Sequence, residues 1–573
     1  MKKTIANTFF INTLIIILSN FLIKILGLAN KIFITRTLGT SGMSLYVLSF
    51  PTIMLFIGVA GFSLNITISK LISEAVTNKK YSPKKILSQA FSITFTLSVL
   101  IMIIYIFLLK LITVRFLKNP NLFYPLLTGA PLILLVGISD GLKGYFTGIK
   151  KVNITSIANL VEQIGRTSFS IIFVIIMLPF GIITATSFCL LALSFGEICA
   201  IVFCLFKIRK YKVETYDNTY GEKKAILNLS VPNTLSRLLG NFTFFLEPII
   251  YTFILNKIGY EINDIQTNFT IIDAYVIPLL TFISFIPQAI SFTMVPYISE
   301  ANALNKTNSI HYYIKKSLIF TIIPFMILSI NLFFNAPDFM YLIYRTKEGS
   351  HLIKYVIFFF LFFYLQVPLI STLHGLGEAK KVFISSTVVN FLRTIFLLIL
   401  CFSKKLNFNA LLVSIVLEII IGFIINYSLI KKLTNFKFNV GDIFSLIMIF
   451  VIGFLICSLL KSYNTNYLII FFISSFVILL LSYFMDFLWI ESLMSIFKKD
   501  KSKWFILFYN FQFIIYIRSS INIFNIIDSL FIKFFHNPFL SFFYIFQIIF
   551  FNFTTNYNWK RKYIFVFVKR KYT

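Results

Sequence analysis

Long apolar runs, separated by short polar connections, recur along almost the whole chain. A helix needs about 20 predominantly apolar residues to cross the hydrocarbon of a bilayer. Runs of that kind lie at 8–34, 43–68, 86–112, 122–144, 154–178 and 182–206. After the polar stretch KIRKYKVETYDNTYGEKK at 207–224, a second set follows at 229–255, 268–298, 317–336, 352–375, 383–402 and 409–430. Two more lie at 442–460 and 466–490. The pattern predicts an all-α polytopic membrane protein with about fourteen transmembrane helices.

The second set echoes the first. Ile72-Ser73-Glu74-Ala75 ends the second run, and Ile298-Ser299-Glu300-Ala301 ends the eighth. Lys150-Lys151-Val152 and Arg166-Thr167 around the fifth run return as Lys380-Lys381-Val382 and Arg393-Thr394 around the eleventh. An offset of six helices is even, so both copies share one orientation, which predicts two parallel six-helix lobes facing a central cavity. The expected division is a first lobe at 1–206, a basic connector at 207–227, a second lobe at 228–432 and two additional helices at 433–497. Residues 501–573 lack Ala, Gly, Met and Glu, and are dominated by Phe, Ile, Asn, Tyr and Lys. The segment 498–573 reads as a low-complexity extension without function, the alternative being extra helices lying in the membrane interface.

Composition agrees with the membrane assignment. The 573 residues are 58% hydrophobic and 13% charged, with mean hydropathy +0.88, more apolar surface than a water-soluble domain can hide. The net charge of +31 sits in short connections between runs, where it reports topology and contact with anionic lipid rather than nucleic-acid binding. With Lys2 and Lys3 inside, Lys79, Lys80, Lys84, Lys85, Lys150, Lys151, Lys207, Arg209, Lys210, Lys306, Lys315, Lys380, Lys381, Lys431 and Lys432 also fall inside. The positive-inside rule then predicts a cytoplasmic N-terminus, with Arg115, Arg345 and Lys405 on the minority side. The basic start MKKTIANTFF runs into a retained first helix, with no small-residue cleavage site. Cys189, Cys199, Cys204, Cys401 and Cys457 all lie in apolar runs at no ligand-like spacing, which argues against a disulfide framework or a metal site.

Charges within the runs are the candidate chemistry, because an ionisable side chain at membrane depth costs about 2.5–3.5 kcal/mol even on a lenient scale. Lys24 and Lys31 share one helix face, and Arg36 follows. Lys31 and Arg36 lie near a helix end and can snorkel, whereas the deeper Lys24 reads as facing a cavity. Arg237, in the seventh run, offers a planar donor fork suited to phosphate oxygens, or half of a structural ion pair. Glu247 falls on roughly the opposite side of the same helix. Glu162, Arg166, Glu197, Glu247 and Asp273 read as gating or structural pairs between lobes, or as ion-coupling groups. His374, near the end of the tenth run, reads as a polar end-cap. Pro51, Pro232, Pro278, Pro287, Pro296 and Pro368 mark places where helices can bend. No GxxxxGKS/T, HExxH or GxSxG motif is present. The acids Glu261, Asp264 and Asp338 are scattered over the outer connections, so the chain reads as a transporter, not an enzyme, with no cofactor.

Several long motifs sharpen this. NFLIKILGLANKIFITRTLGTSGMSLYVLSFP, ITISKLISEA, VPNTLSRLLGNFTFFLEPIIYTFIL, FISFIPQAISFTMVPYISEA and YLQVPLISTLHGLGEAKKV together resemble the stage V sporulation protein B family. That family belongs to the polysaccharide-exporter branch of the superfamily that also contains lipid II flippases and multidrug-and-toxin exporters. The resemblance covers about residues 5–497 and not the tail. It implies a two-lobed, fourteen-helix flippase of the cytoplasmic membrane. Its substrate would be an undecaprenyl-linked oligosaccharide or peptidoglycan precursor, moved by alternating access for the spore cortex. In the related lipid II flippases a central cationic cavity holds the pyrophosphate. Lys24 stands at the basic position before the LG pair, here Leu26-Gly27, while Asn30 replaces a second basic residue and Lys31 follows it. Arg237, in the LSRL motif, is the counterpart from the second lobe. The expected ligands of the anionic lipid-linked glycan are therefore Lys24 and Arg237, supported by Lys31 or Arg36, with H+ or Na+ as the possible coupling ion. The alternatives are a cation-coupled multidrug exporter using Glu162, Glu247 or Asp273, and a membrane glycosyltransferase or polymerase.

Overall fold

The computed structural model describes residues 2–78, 82–211, 221–403, 406–463 and 465–485. The segment 498–573 and the connector's 212–220 lie outside them. Every regular element among the described residues is helical, and thirteen helices are long and apolar enough to cross a bilayer. The first of these, Lys2–Ala60, folds back at Gly39, whose φ of +65° suits a residue without Cβ. It therefore makes two crossings, for fourteen among the described residues. The polar stretch after residue 34, read from the sequence as a loop, is helical on both sides of that single residue.

The second crossing breaks after Ala60 and resumes as Leu64–Asn78. The intervening turn places Phe62 and Ser63 in the left-handed region, each at φ +48°. The third to seventh crossings are built on Pro83–Lys110, Ala130–Gly148, Val152–Met177, Ile182–Ile208 and Glu222–Ile258. The eighth begins at Ile262–Thr270, widens to a π turn over Ile271–Val276, and re-forms as Phe285–Ala303. Pro278 accounts for the break: it lacks an N–H, and its ring crowds the carbonyl one turn earlier. Thr307–Tyr344, Phe360–Gly375, Ala379–Cys401, Ala410–Thr434, Val440–Ser462 and Tyr467–Phe484 complete the set. The turns bearing Lys84, Lys150, Lys380 and Lys431 share one face by alternation, called here the basic face; Gly39, Gly181 and Gly259 mark the far face.

The two lobes repeat a packing contact as well as a sequence motif. Gly148, at the end of the fourth crossing, lies against Ile72 of the second, where an added Cβ would sit 2.7 Å from the Ile72 Cβ and 2.9 Å from the Ser69 carbonyl oxygen. Gly375, at the end of the tenth, lies against Ile298 of the eighth, and its Cβ would meet that side chain at 2.8 Å and the Val295 carbonyl at 3.1 Å. The Ile-Ser-Glu-Ala echo thus marks the point where the second helix of each lobe touches the fourth. In lipid, helix pairs gain little from burying apolar surface and depend on close backbone approach, which small residues permit.

Substituting alanine at Gly148 or at Gly375 is therefore expected to cost about 1–3 kcal/mol each through overpacking. Alanine at Gly259, whose φ is +112° and whose surroundings hold no atom within 4 Å, costs only backbone strain, about 1 kcal/mol. Thermal unfolding in detergent should rank Gly148→Ala and Gly375→Ala together, below Gly259→Ala; the reverse order would refute the repeated contact.

Candidate functional site

Lys24 is exposed, and no carboxylate among the described residues pairs with it. Its direction follows from its neighbours on the first crossing. Gly27 faces Gln163 of the fifth crossing, and Phe21 makes an edge contact with Phe285 of the eighth, ring centroids 5.3 Å apart. At 100° per residue, Lys24 lies between those two directions, on the side where the first crossing meets both lobes. Lys31 shares that face and reaches across it, its Nζ donating to the Asp273 carbonyl oxygen at 3.4 Å. Arg36 donates from Nε to the Ile343 carbonyl at 2.8 Å and from Nη2 to that of Leu342.

Those bonds belong to a seal on the far half of the cleft. Asn119 donates to Gln266 Oε1 at 2.7 Å, and Gln266 Nε2 donates back to the Leu117 carbonyl at 3.1 Å. Lys118 donates to the Asn256 amide oxygen beside them. From the first crossing, Lys31 and Arg36 bond to the second lobe. A separate seam joins the second and seventh crossings. It runs from Asn241 Nδ2, donating to the Met54 carbonyl at 2.8 Å, to Ser230, donating to Thr67 at 3.0 Å.

Arg237 emerges from the seventh crossing between these two bonds, its side chain 42% exposed. Its Nη1 lies 3.9 Å from Asp140 Oδ2 on the fourth crossing, an interlobe pair that is long and half-open to solvent. Glu247, on the same helix, points into the second lobe instead.

Each lobe also holds a buried cluster of charges. In the first, Lys143 pairs with Glu162 at 2.5 Å and with Glu197 at 3.6 Å, and Arg166 bridges the same two acids. The fifth and sixth crossings approach closely enough for this because Gly196 lies on the backbone at Glu162 and Arg166. In the second lobe, Arg393 Nη2 donates to both oxygens of Glu247 at 2.6 Å, and its Nη1 lies 3.2 Å from Glu418. The Asp273 carboxylate lies within Coulombic range of Arg393 and of Lys31.

The structure thus divides the residues singled out from the sequence. Lys24 and Arg237 are exposed; Lys31 and Arg36 are engaged across the far half. Glu162, Arg166 and Glu197 pair inside the first lobe rather than between lobes, and Glu247 pairs inside the second. Asp273 meets a group from the other lobe, Lys31, through its backbone carbonyl. His374 is exposed in the last turn of its helix, where its carbonyl accepts from Gly377. Sequence reasoning passed over Asp140, Lys143 and Glu418 and noted Arg393 only as a repeat marker. Asp140 and Lys143, three apart in ISDGLKG, did carry a signal, since two opposite charges on one helix face inside an apolar run need buried partners.

Residues 9–300 match the family model described as polysaccharide biosynthesis protein. The chain is 27% identical over 466 residues to stage V sporulation protein B of Bacillus subtilis (strain 168), covering 80% of this chain and 90% of that protein. Among solved structures, a lipid II flippase, MurJ, in an inward closed conformation superposes with a TM-score of 0.63 at 17% identity, over 82% of this chain and 98% of the flippase. An inward-facing multidrug resistance transporter of the MATE family and MOP superfamily gives 0.55 at 17% identity, over 72% and 96%. The two structures share the fold, and the sequence match gives the lineage. The chain is a multi-pass membrane protein that belongs to the polysaccharide biosynthesis protein family.

Proposed function

We propose that the protein is a flippase that carries an undecaprenyl-linked oligosaccharide or peptidoglycan precursor across the cytoplasmic membrane, in the service of spore cortex synthesis. The observation that carries this is the sign of the exposed charge. Lys24 from one lobe and Arg237 from the other lie exposed where the lobes meet, while Glu162, Glu197, Glu247 and Glu418 are held by arginine or lysine inside the lobes. A cleft of that kind attracts a pyrophosphate, and a planar guanidinium can bind two of its oxygens at once. The prenyl chain stays in the bilayer beside the cleft. A cation-coupled drug exporter would use Glu162, Glu247 or Asp273, and of these Glu162 and Glu247 are committed to basic partners. Membership in a polysaccharide family and the similarity to stage V sporulation protein B support the lipid-linked substrate over the drug.

In this reading the basic face is cytoplasmic and the substrate enters there, with Lys31, Arg36 and Gln266 closing the other side until the lobes rock. Asp140 links the two events. The first-lobe acids Asp140, Glu162 and Glu197 face two lobe cations, Lys143 and Arg166, and Arg237 is the third. A pyrophosphate that takes Arg237 leaves Asp140 without its partner, and H+ or Na+ restores neutrality.

Purified protein in vesicles, with labelled lipid-linked precursors added to one side, tests the proposal directly. The wild type should expose the precursor on the other side, and Lys24→Ala with Arg237→Ala should slow this at least about 100-fold, the loss of two charge-assisted contacts. Arg237→Lys keeps the charge but not the fork and should retain part of the rate; full activity in the double alanine variant would refute the charge mechanism. Cysteines placed at 119 and 266, joined by a short thiol cross-linker in a chain freed of its own cysteines, should stop transport until the linker is cleaved. Arg393→Ala should act on stability rather than on the substrate. It strands Glu247 and Glu418 in the second lobe at a cost of about 3–5 kcal/mol, visible as a lower unfolding temperature and poor membrane yield.

A further inference from the structure

We propose that Asp273 binds an exchangeable proton, and that the proton decides how tightly Lys31 closes the far half of the cleft. Asp273 lies about 16 Å along the eighth crossing from its start at Ile262, near the middle of the bilayer. It is half-buried there. Its backbone is prepared for a side-chain partner. In the π turn over Ile271–Val276 the Ile277 N–H bonds back to the Ile272 carbonyl, and the next residue, Pro278, has no N–H to give. The Asp273 carbonyl is left without its usual helical donor, and Lys31 Nζ donates to it at 3.4 Å.

The carboxylate of the same residue is held by nothing comparable. Among the described residues it accepts no hydrogen bond and joins no close ion pair. The charges within its Coulombic reach are Lys31 from the first crossing, Arg393 from the eleventh and Glu247 from the seventh. Arg393 is committed elsewhere, with 2.6 Å bonds to both oxygens of Glu247 and Nη1 at 3.2 Å from Glu418. Tyr275, two residues on, stacks on Tyr344. His351 and Lys354, on the short helix Ser350–Val356 beside the π turn, are exposed. Glu247, Asp273 and Glu418 are thus three acids facing Arg393 and Lys31, and Asp273 is the one whose carboxylate neither cation holds.

A bare carboxylate at that depth is costly, and a proton removes the cost. A metal cation would have to sit between the Lys31 ammonium and the Arg393 guanidinium, whereas a proton needs only the carboxyl group itself. The proton also directs Lys31. With Asp273 neutral, Lys31 keeps the long carbonyl bond seen in the structure. With Asp273 ionised, the ammonium has a carboxylate on the same residue, and a charge-assisted bond replaces a neutral acceptor. Lys31 belongs to the first lobe and Asp273 to the second, so ionisation tightens the far seal and protonation eases it. The site is separate from the Asp140–Arg237 pair and does not depend on which lipid-linked sugar is carried.

The full chain in nanodiscs, freed of its own cysteines and spin-labelled through Asn121→Cys and Glu261→Cys, tests this. Both positions are exposed, one in each lobe beside the seal, and the distance between labels reports the open and closed populations. Between about pH 9 and about pH 5 the ratio of open to closed should rise about tenfold, the loss of one charge-assisted bond. Asp273→Asn should show the low-pH ratio throughout, Lys31→Gln should be flat, and Glu418→Gln should keep the wild-type profile. Infrared difference spectra should show a carboxylic-acid C=O band that the wild type loses as pH rises and that Asp273→Asn lacks. A flat wild-type profile overturns the proposal, as does a profile that survives in Asp273→Asn or vanishes in Glu418→Gln, or the absence of the infrared band. A wild type that keeps the profile but exposes no labelled lipid-linked precursor across vesicles overturns the flippase reading and leaves the proton site standing.

Discussion

The cost of a bare charge inside a bilayer governs the design of this protein. Each lobe buries acids and bases at membrane depth, and each keeps them inside its own helices: Lys143 and Arg166 with Glu162 and Glu197, Arg393 with Glu247 and Glu418. Breaking such a group strands a charge in low dielectric, at a cost far above that of an exposed pair. The lobes are therefore stiff bodies. What joins them is weaker and more varied: carbonyl acceptors for Lys31 and Arg36, neutral amides at Asn119 and Gln266, and one long ion pair at Asp140 and Arg237. Such a division suits motion by rocking, because the interlobe bonds can be exchanged for water while the intralobe clusters cannot.

The repeat sets the frame in which this division is meaningful. The glycine contacts at Ile72 and Ile298 show both lobes built around the same helix approach. Arg166 and Arg393 occupy matched places in the fifth helix of each lobe, and each is clamped by a glutamate from the sixth. The copies part company in the rest of the clusters. The first lobe adds Lys143 from its fourth helix, the second adds Glu247 from its first. The two halves share a scaffold and differ in single polar residues.

Most of the fold was legible in the sequence, since fourteen spans and a parallel repeat follow from hydropathy and from three short echoes. The broken middles of the second and eighth crossings were not. Nothing in Gly61-Phe62-Ser63 announces a left-handed turn, because both non-glycine residues are held there by packing and by Ser63's bond to Thr234 rather than by their own preference. The candidate site was half legible. Depth in an apolar run singled out Lys24 and Arg237, which are exposed, but pairing is a property of three or four helices at once. A single helix periodicity could not say that Glu247 turns to Arg393 while Arg237, ten residues earlier, turns to Asp140.

The break in the second crossing has a mechanical consequence. Above it, toward the far face, the helix is fastened to the seventh crossing by Asn241; below it, the same two helices meet at Thr67 and Ser230. Left-handed conformations cost bulky residues of order 1 kcal/mol or more each, and they persist only where surrounding contacts enforce them. Phe62, nearly buried, and Ser63 are such a pair. A change in the seventh crossing that releases Thr234 from Ser63 removes part of that enforcement. Arg237 lies one turn from Thr234, so a ligand that draws Arg237 away from Asp140 acts next to the contact that holds the bend. The exposed charge at Arg237 and the strained bend at Phe62 and Ser63 are in this way coupled through a single helical turn.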